Sequence, residues 1–415
     1  MREMKDSGIE WIGNVPSNWK LSKIKYMTTQ RECVGKYTPE KDKFIGLENV
    51  IGFADRYIET STEYETSIYD VCHKGDILFG RLRPYLAKIL TVPFDGYCTG
   101  EFLVFDSFNG CKNYLKYVLL SKPFIDEVNL STYGAKMPRA NADFILNMYL
   151  PLPQIVEQEK IAGFLDSQCS EIDAISADIQ KEIETLEQYK RSVITEAVTK
   201  GLNPDVEMKD SGIEWVGNVP DHWGVLANKY VMKKRKDICT KWNGENVLSL
   251  TMNGVIVRDL DNPVGKMPTT FDGYQFVYSG NLLMCLFDYD VTPRCVGIVK
   301  NAGVTSPAYS RFELKENATL EYFYYYYLMI DFTKELLHLA KNLRHSFTEE
   351  QLGALKVPLP PLDEQKNIAT YLDSKCKEIE SVIASKKQQL EVLDSYKKSL
   401  IYEYVTGKKE VPNEQ

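Results

Sequence analysis

The chain has 415 residues, 44% hydrophobic and 12% aromatic, enough apolar mass for two domains of ordinary size, and this excludes a disordered protein. The net charge of −8 is unevenly spread: residues 151–223 carry six Lys and Arg against fifteen Asp and Glu, so the near-neutral segments on either side can each present a basic face. No apolar run reaches the roughly 18 residues of a membrane span, the N-terminus has no signal core, and nine cysteines without a C-x-x-C pair fit reduced thiols, so a cytoplasmic protein without membrane attachment is expected.

The first segment, Met4 to Pro16 (MKDSGIEWIGNVP), returns at Met208 to Pro220 with the single change of Ile12 to Val216, and Trp19 and Tyr26 return as Trp223 and Tyr230. Short strands are predicted at Lys43–Leu47, Gly75–Phe79 and Gly100–Phe105, and a helix at Asn113–Leu120, stopping before Pro123. A second block, Pro151-Leu152-Pro153 with Glu157-Gln158, Ile161-Ala162 and Leu165-Asp166, returns as Pro358-Leu359-Pro360, Glu364-Gln365, Ile368-Ala369 and Leu372-Asp373. Between the second copies lie strands at Val247–Leu250, Gly280–Met284 and Tyr309–Leu314 and a helix at Leu320–Ile330, the same order with mostly different residues. A repeat of about half the chain is too long for a solenoid and means two copies of one domain plan.

Each Pro-Leu-Pro block opens a long helix. In the first, Leu165, Ile172, Ile179, Leu186 and Val193 recur every seven residues, with Ile161, Ile175 and Tyr189 as a companion row. In the second, Leu372, Ile379, Lys386, Leu393 and Leu400 do so, with Ile368, Val382 and Tyr396 beside them; Lys386 breaks the row, and Ile383 and Leu390 keep the face apolar. Sustained heptads predict a coiled-coil seam. Since the chain runs domain, helix, domain, helix, the two helices are expected to pair antiparallel. The fold class is therefore α+β, with two similar globular domains separated by two long paired helices in a pseudo-twofold repeat. The expected boundaries are 1–150, 151–207 (helical), 208–357 and 358–415 (helical).

Catalytic signatures are missing. There is no G-x-x-x-x-G-K-[ST] phosphate loop, no N-P-P-Y or D-P-P-Y, no H-E-x-x-H and no G-x-S-x-G, and the four histidines are isolated. The chain reads as a binding protein without a metal or catalytic residue.

The doubled W-x-G-x-V-P-x-x-W (Trp11 to Trp19, Trp215 to Trp223) and the doubled Pro-Leu-Pro followed by E-Q-x-x-I (Glu157 to Ile161, Glu364 to Ile368) resemble the specificity subunit of type I restriction-modification systems over essentially the whole chain. The resemblance implies that the two domains are target-recognition domains, each reading half of a bipartite site on double-stranded DNA. It also implies that the helices form a spacer holding two modification (methyltransferase) subunits, with restriction (endonuclease/translocase) subunits in the larger complex. S-adenosylmethionine, ATP and Mg would be used by those partners, none by this chain. A helix from Leu165 to Val198 spans about 51 Å at 1.5 Å per residue, an upper bound of about 15 base pairs between half-sites. The competing reading is a two-domain protein-binding adaptor without DNA readout, which the lack of a basic face on either domain would favour.

Arginine forks suit guanine and phosphate, and lysine suits phosphate. The DNA-contact candidates are Arg81, Arg83 and Lys88 after a strand, and Lys136 and Arg139 in a Gly-rich basic loop. In the second domain they are Lys234 and Arg235 in a Lys-Lys-Arg-Lys run, Arg294, and Lys341, Arg344 and His345. The tyrosine run Tyr324–Tyr327 is expected to face a core rather than stack on bases.

Overall fold

The computed structural model describes residues 2–134, 136–263, 265, 267–340 and 346–412. The chain folds as two compact units: one takes residues up to Gln180 and from Lys387 on, the other Lys181–Lys386. Each contains one mixed domain and one stretch of both long helices.

In the first unit the N-terminal repeat block makes a small ribbon, Met4–Asp6 against Asn14–Pro16. Its turn needs Gly8 and Gly13 at φ of 70° and 64°, and the second copy uses Gly212 and Gly217 at 63° and 66°. That left-handed region is costly for other residues, which explains why both glycines recur. The Pro-Leu-Pro block joins the tryptophan block directly: Tyr149–Leu152 pairs antiparallel with Lys20–Lys23, as Lys356–Leu359 does with Gly224–Ala227. The two repeated motifs are thus one structural element in each unit.

Each domain has two four-stranded sheets. In the first unit the order is Ile89–Thr91, Ile77–Gly80, Phe102–Phe108, Thr28–Gln30 for one sheet and Val34–Lys36, Ile68–Cys72, Gly96–Cys98, Phe44–Ile45 for the other. In the second unit Val296–Ile298, Leu282–Met284, Ser310–Leu314 and Met232–Arg235 reproduce the first order, and Gln275–Val277, Gly303–Thr305, Val247–Thr251 and Gly254–Val257 form the other sheet. The strands predicted from sequence have ends within two residues of these, except that Phe102–Phe108 runs three residues beyond the expected Phe105; Phe44–Ile45 is the shortest. The helices are Lys112–Leu120 and Leu320–Thr333. A further helix, Lys122–Leu130, was not expected, because Pro123 reads as a stop; it instead occupies the first turn, where its missing N–H costs nothing.

The long helices run Ile155–Lys200 and Leu362–Val405, longer than the heptad pattern alone predicts. Within the first unit Phe164 stacks near Tyr404 and Asp173 binds Lys397; within the second, Glu182 meets Lys386 and Lys190 meets Glu380. Partner numbers fall as the others rise, so the helices pair antiparallel in each unit. Leu165, Ile172, Leu372, Ile379 and Leu400 are buried, and Ile179, Leu186, Val193 and Leu393 are half-buried. Of the expected companion row, Ile161 and Ile368 are buried but the other four members are not. Ile175 and Tyr396 are 50% exposed, Tyr189 49% and Val382 42%. The second row lies four residues after the first, at Cys169, Ile183 and Ala197 and at Cys376, Ile383, Lys397 and Tyr404, all buried. Both offsets satisfy a heptad; which one faces inward is set by packing, and side chains from Cys and Ala to Ile, Lys and Tyr fill it here.

The main core of each unit includes the repeat tryptophan, Trp19 or Trp223, and the inner faces of the long helices. Of the run Tyr324–Tyr327, Tyr325–Tyr327 are buried, as expected for a core-facing helix, while Tyr324 is half-buried. Among the described residues no helix is long and apolar enough to cross a membrane.

Candidate nucleic-acid interface

In both domains the loop after the second strand of the first-described sheet, together with a segment bonded to it, holds the non-glycine residues with left-handed backbone. In the first unit Arg83 and Ala87 sit at φ of 50° and 45°, flanking the turn Pro84–Leu86. The loop packs on residues 52–55, where Phe53 and Asp55 are also left-handed and the Phe53 N–H donates to the Ala87 carbonyl at 3.1 Å. In the second unit Asp288 (φ 46°) lies in the matching loop 285–295, and the ammonium of Lys334 (φ 54°) donates to the Thr292 carbonyl at 2.7 Å. These six are all the non-glycine residues with positive φ among those described. Strain persists only where the surroundings hold it, and it gathers at functional sites.

A second segment lies against the loop in each unit. The Arg83 N–H donates to the Pro138 carbonyl at 2.7 Å and the Ala140 N–H to the Arg81 carbonyl at 2.9 Å. In the other unit the Phe347 N–H donates to the Leu286 carbonyl at 2.8 Å. Two candidate stretches far apart in sequence, 81–88 and 136–139, are thereby brought together. Their side chains divide. Arg83 and Lys136 are exposed without an ion-pair partner among the described residues, beside exposed Tyr85, Tyr133 and Met137. Arg81 donates to the Gly100 carbonyl at 2.6 Å while its Nε is buried and unpartnered. Arg139 forms a two-pronged pair with Glu101, one bond at 2.9 Å, which raises the guanidinium pKa. Lys88 departs from the set: its ammonium turns inward onto the Leu47 carbonyl, and burial lowers its pKa.

In the second unit Arg294 reaches Tyr324 Oη at 3.3 Å, Lys234 lies 3.7 Å from Glu349, and Arg235 donates to Glu313 at 2.7 Å. Arg235 stands opposite Arg311, next to Ser310, which pairs with Met284. It therefore sits at the same sheet end as loop 285–295. Lys341, Arg344 and His345 lie outside the described residues.

The sequence reading missed the residues that carry these domains on the helices. Gln158 and Gln365 are buried: Gln158 accepts from the Cys111 N–H at 3.0 Å and donates to the Pro153 carbonyl at 2.9 Å. Gln365 accepts from the Thr319 N–H at 2.8 Å and donates to the Pro360 and Asn317 carbonyls at 2.9 and 3.0 Å. Tyr114 donates to the Val405 carbonyl and Tyr322 to the Val198 carbonyl, each at 2.9 Å, closing the C-terminal end of the opposite long helix. Tyr117 and Tyr325 donate to Asp166 and Asp373 at 2.6 and 2.7 Å, and burial raises both phenol pKa values. The signal was present, since each pair is related by the repeat.

Residues 16–185 and 291–392 match the type I restriction modification DNA specificity domain. The chain belongs to that family, the specificity subunits, which are noncatalytic components of type I restriction-modification complexes. It is similar to the type I restriction enzyme MjaVIII specificity subunit of Methanocaldococcus jannaschii, 28% identical over 72% of this chain and 71% of the relative. It is also similar to the putative type I restriction enzyme MjaX specificity subunit of the same organism, 25% identical over 96% and 95%. Its fold matches a solved chain from work on complex assembly and conformational transition of the type I R-M system, with a TM-score of 0.68 at 15% identity, over 95% of this chain and 99% of that one.

Proposed function

We propose that the domains 1–150 and 208–357 each read one half of a bipartite DNA sequence, while the helical regions 151–207 and 358–415 fix the gap and dock two modification subunits. The observation that carries this reading is the contrast between scaffold and loops. The tyrosine and glutamine contacts to the long helices recur in both units, and Asp173–Lys397 recurs as Glu380–Lys190, whereas the strained loops differ: Arg81-Leu82-Arg83-Pro84-Tyr85 in one domain, Asp288-Tyr289-Asp290-Val291-Thr292-Pro293-Arg294 in the other. A constant frame presenting two different surfaces suits an asymmetric interrupted target. Arg81, Arg83, Lys136 and Arg139 would contact DNA from the first domain, and Arg294 with Lys341, Arg344 and His345 from the second. Lys88 would hold the loop.

Docking of two like partners is supported by the exposed helix residues. Ile175 with Tyr396, and Val382 with Tyr189, are repeat-related pairs that leave apolar groups in solvent on otherwise charged helices, and such patches mark interaction sites. Methyl transfer from S-adenosylmethionine and ATP- and Mg-dependent translocation or cleavage would belong to the modification and restriction subunits, in the cytoplasm where the DNA is. Mapping methylated motifs with and without this gene tests the reading. The expected result is a two-part motif with a fixed gap that vanishes on deletion; a motif set unaffected by deletion refutes it.

A further inference from the structure

We infer that the second domain alone carries an additional duplex-phosphate clamp along the edge strand Met232–Arg235, so that the two halves of the target are held with unequal electrostatic contact. This rests on the DNA-reading function proposed above.

The strand is the outer member of its sheet, and a groove of about 710 Å³ runs beside it, lined by Lys229, Lys233, Lys234 and Lys315 with Glu349 and Glu350. Lys233 is exposed, as is Lys236 just beyond the strand, and neither has an acidic partner among the described residues. Lys234 is held 3.7 Å from Glu349 and Arg235 is paired with Glu313, so a row of cations is only partly neutralised. The row ends where Arg235 reaches the sheet end bearing loop 285–295, so a backbone lying across that loop can continue along the strand.

The first domain lacks this device. Its matching edge strand is Thr28-Thr29-Gln30, in which Thr29 binds Asp106 and Ser107. Arg31, just beyond it, turns into a two-pronged pair with Asp76 at 2.9 and 3.2 Å. A surface needed for the shared helical frame or for two identical partners would recur with the repeat. This one does not, which associates it with what differs between the halves.

Each phosphate contact contributes about 0.9 to the slope of log affinity against log salt on duplex DNA. The test uses this chain assembled with its modification subunits and a duplex bearing the mapped motif, titrated from low to high salt. Replacing Lys233, Lys234 and Lys236 together by Ala should lower the slope by about 2, one contact each for the unpaired Lys233 and Lys236, with relative affinities for single base-pair substitutions unchanged. The Lys→Arg triple should keep the wild-type slope. Should the Ala triple fail to co-purify with the modification subunits, Lys233→Gln alone should lower the slope by about 1. An unchanged slope in variants that assemble overturns the inference, and so does altered discrimination at one base pair, which would make the strand a base reader. A wild-type complex that does not prefer its motif duplex would overturn the underlying reading as well, a result distinct from either.

Discussion

Gln365 is the most consequential side chain outside the candidate interface. It is fully buried and satisfies the Thr319 N–H and the Asn317 and Pro360 carbonyls at once, and also lies 3.2 Å from Thr319 Oγ1. Gln365→Ala leaves three backbone groups, the Pro360 carbonyl buried and the Thr319 N–H and Asn317 carbonyl partly buried, without that partner and opens a small void. Each such group costs about 1–3 kcal/mol when nothing replaces the bond; with partial rescue by water entering the void, a loss of roughly 2–4 kcal/mol follows. Gln158 satisfies two backbone groups, so Gln158→Ala should cost roughly 1–3 kcal/mol. Gln365→Glu keeps the shape but turns a donor into an acceptor facing two carbonyls, and should be no milder than Ala. Hydrogen exchange resolves the two units separately. Gln365→Ala should deprotect Leu320–Thr333 while leaving Lys112–Leu120 near wild type, and Gln158→Ala should do the reverse. Losses below about 0.5 kcal/mol, or equal deprotection of both helices, would refute the claim that these glutamines anchor domain to helix.

Other perturbations follow from the same geometry. Leu165→Ala and Leu372→Ala, both at completely buried seam positions, should each cost about 2–5 kcal/mol in urea unfolding. Tyr189→Asp and Tyr396→Asp should change stability by no more than about 0.5 kcal/mol, yet each should remove one of two modification subunits in native mass spectrometry. Cys33 is the exposed cysteine, whereas Cys169 is buried with its thiol pKa pushed up to about 11. A thiol reagent at neutral pH should therefore label Cys33 fast and Cys169 only after unfolding. Asp70 is held above the usual carboxylate range by burial, Arg81 opposing. The native state then binds the proton more tightly than the unfolded chain, so stability falls as pH rises from the unfolded value through the folded one; Asp70→Asn should flatten that dependence.

The repeat made most of the architecture legible. Three strands of each domain, the two domain helices and the long heptad helices could be read from one chain because each was stated twice, whereas the pairing of strands into sheets could not. What periodicity could not decide was the seam: Ile175 and Cys169 both satisfy a seven-residue rule next to Ile172, and hydrophobicity favours the isoleucine that the structure exposes. On the docking proposed above, an apolar residue facing outward is available to a partner. Similarly, Arg81, Arg83, Lys136 and Arg139 were recognisable as basic residues near turns, but their meeting depends on a bridge between residues 82 and 139 that no local signal announces. Lys88 looked equivalent to them in sequence; its inward turn depends on a carbonyl 41 residues away.

The most direct test of the account exchanges residues 20–150 for the matching segment of another specificity subunit and maps methylated motifs in cells holding the modification partner. The account predicts a motif in which one half changes while the other half and the gap stay fixed. A change in both halves, or in neither, would contradict it.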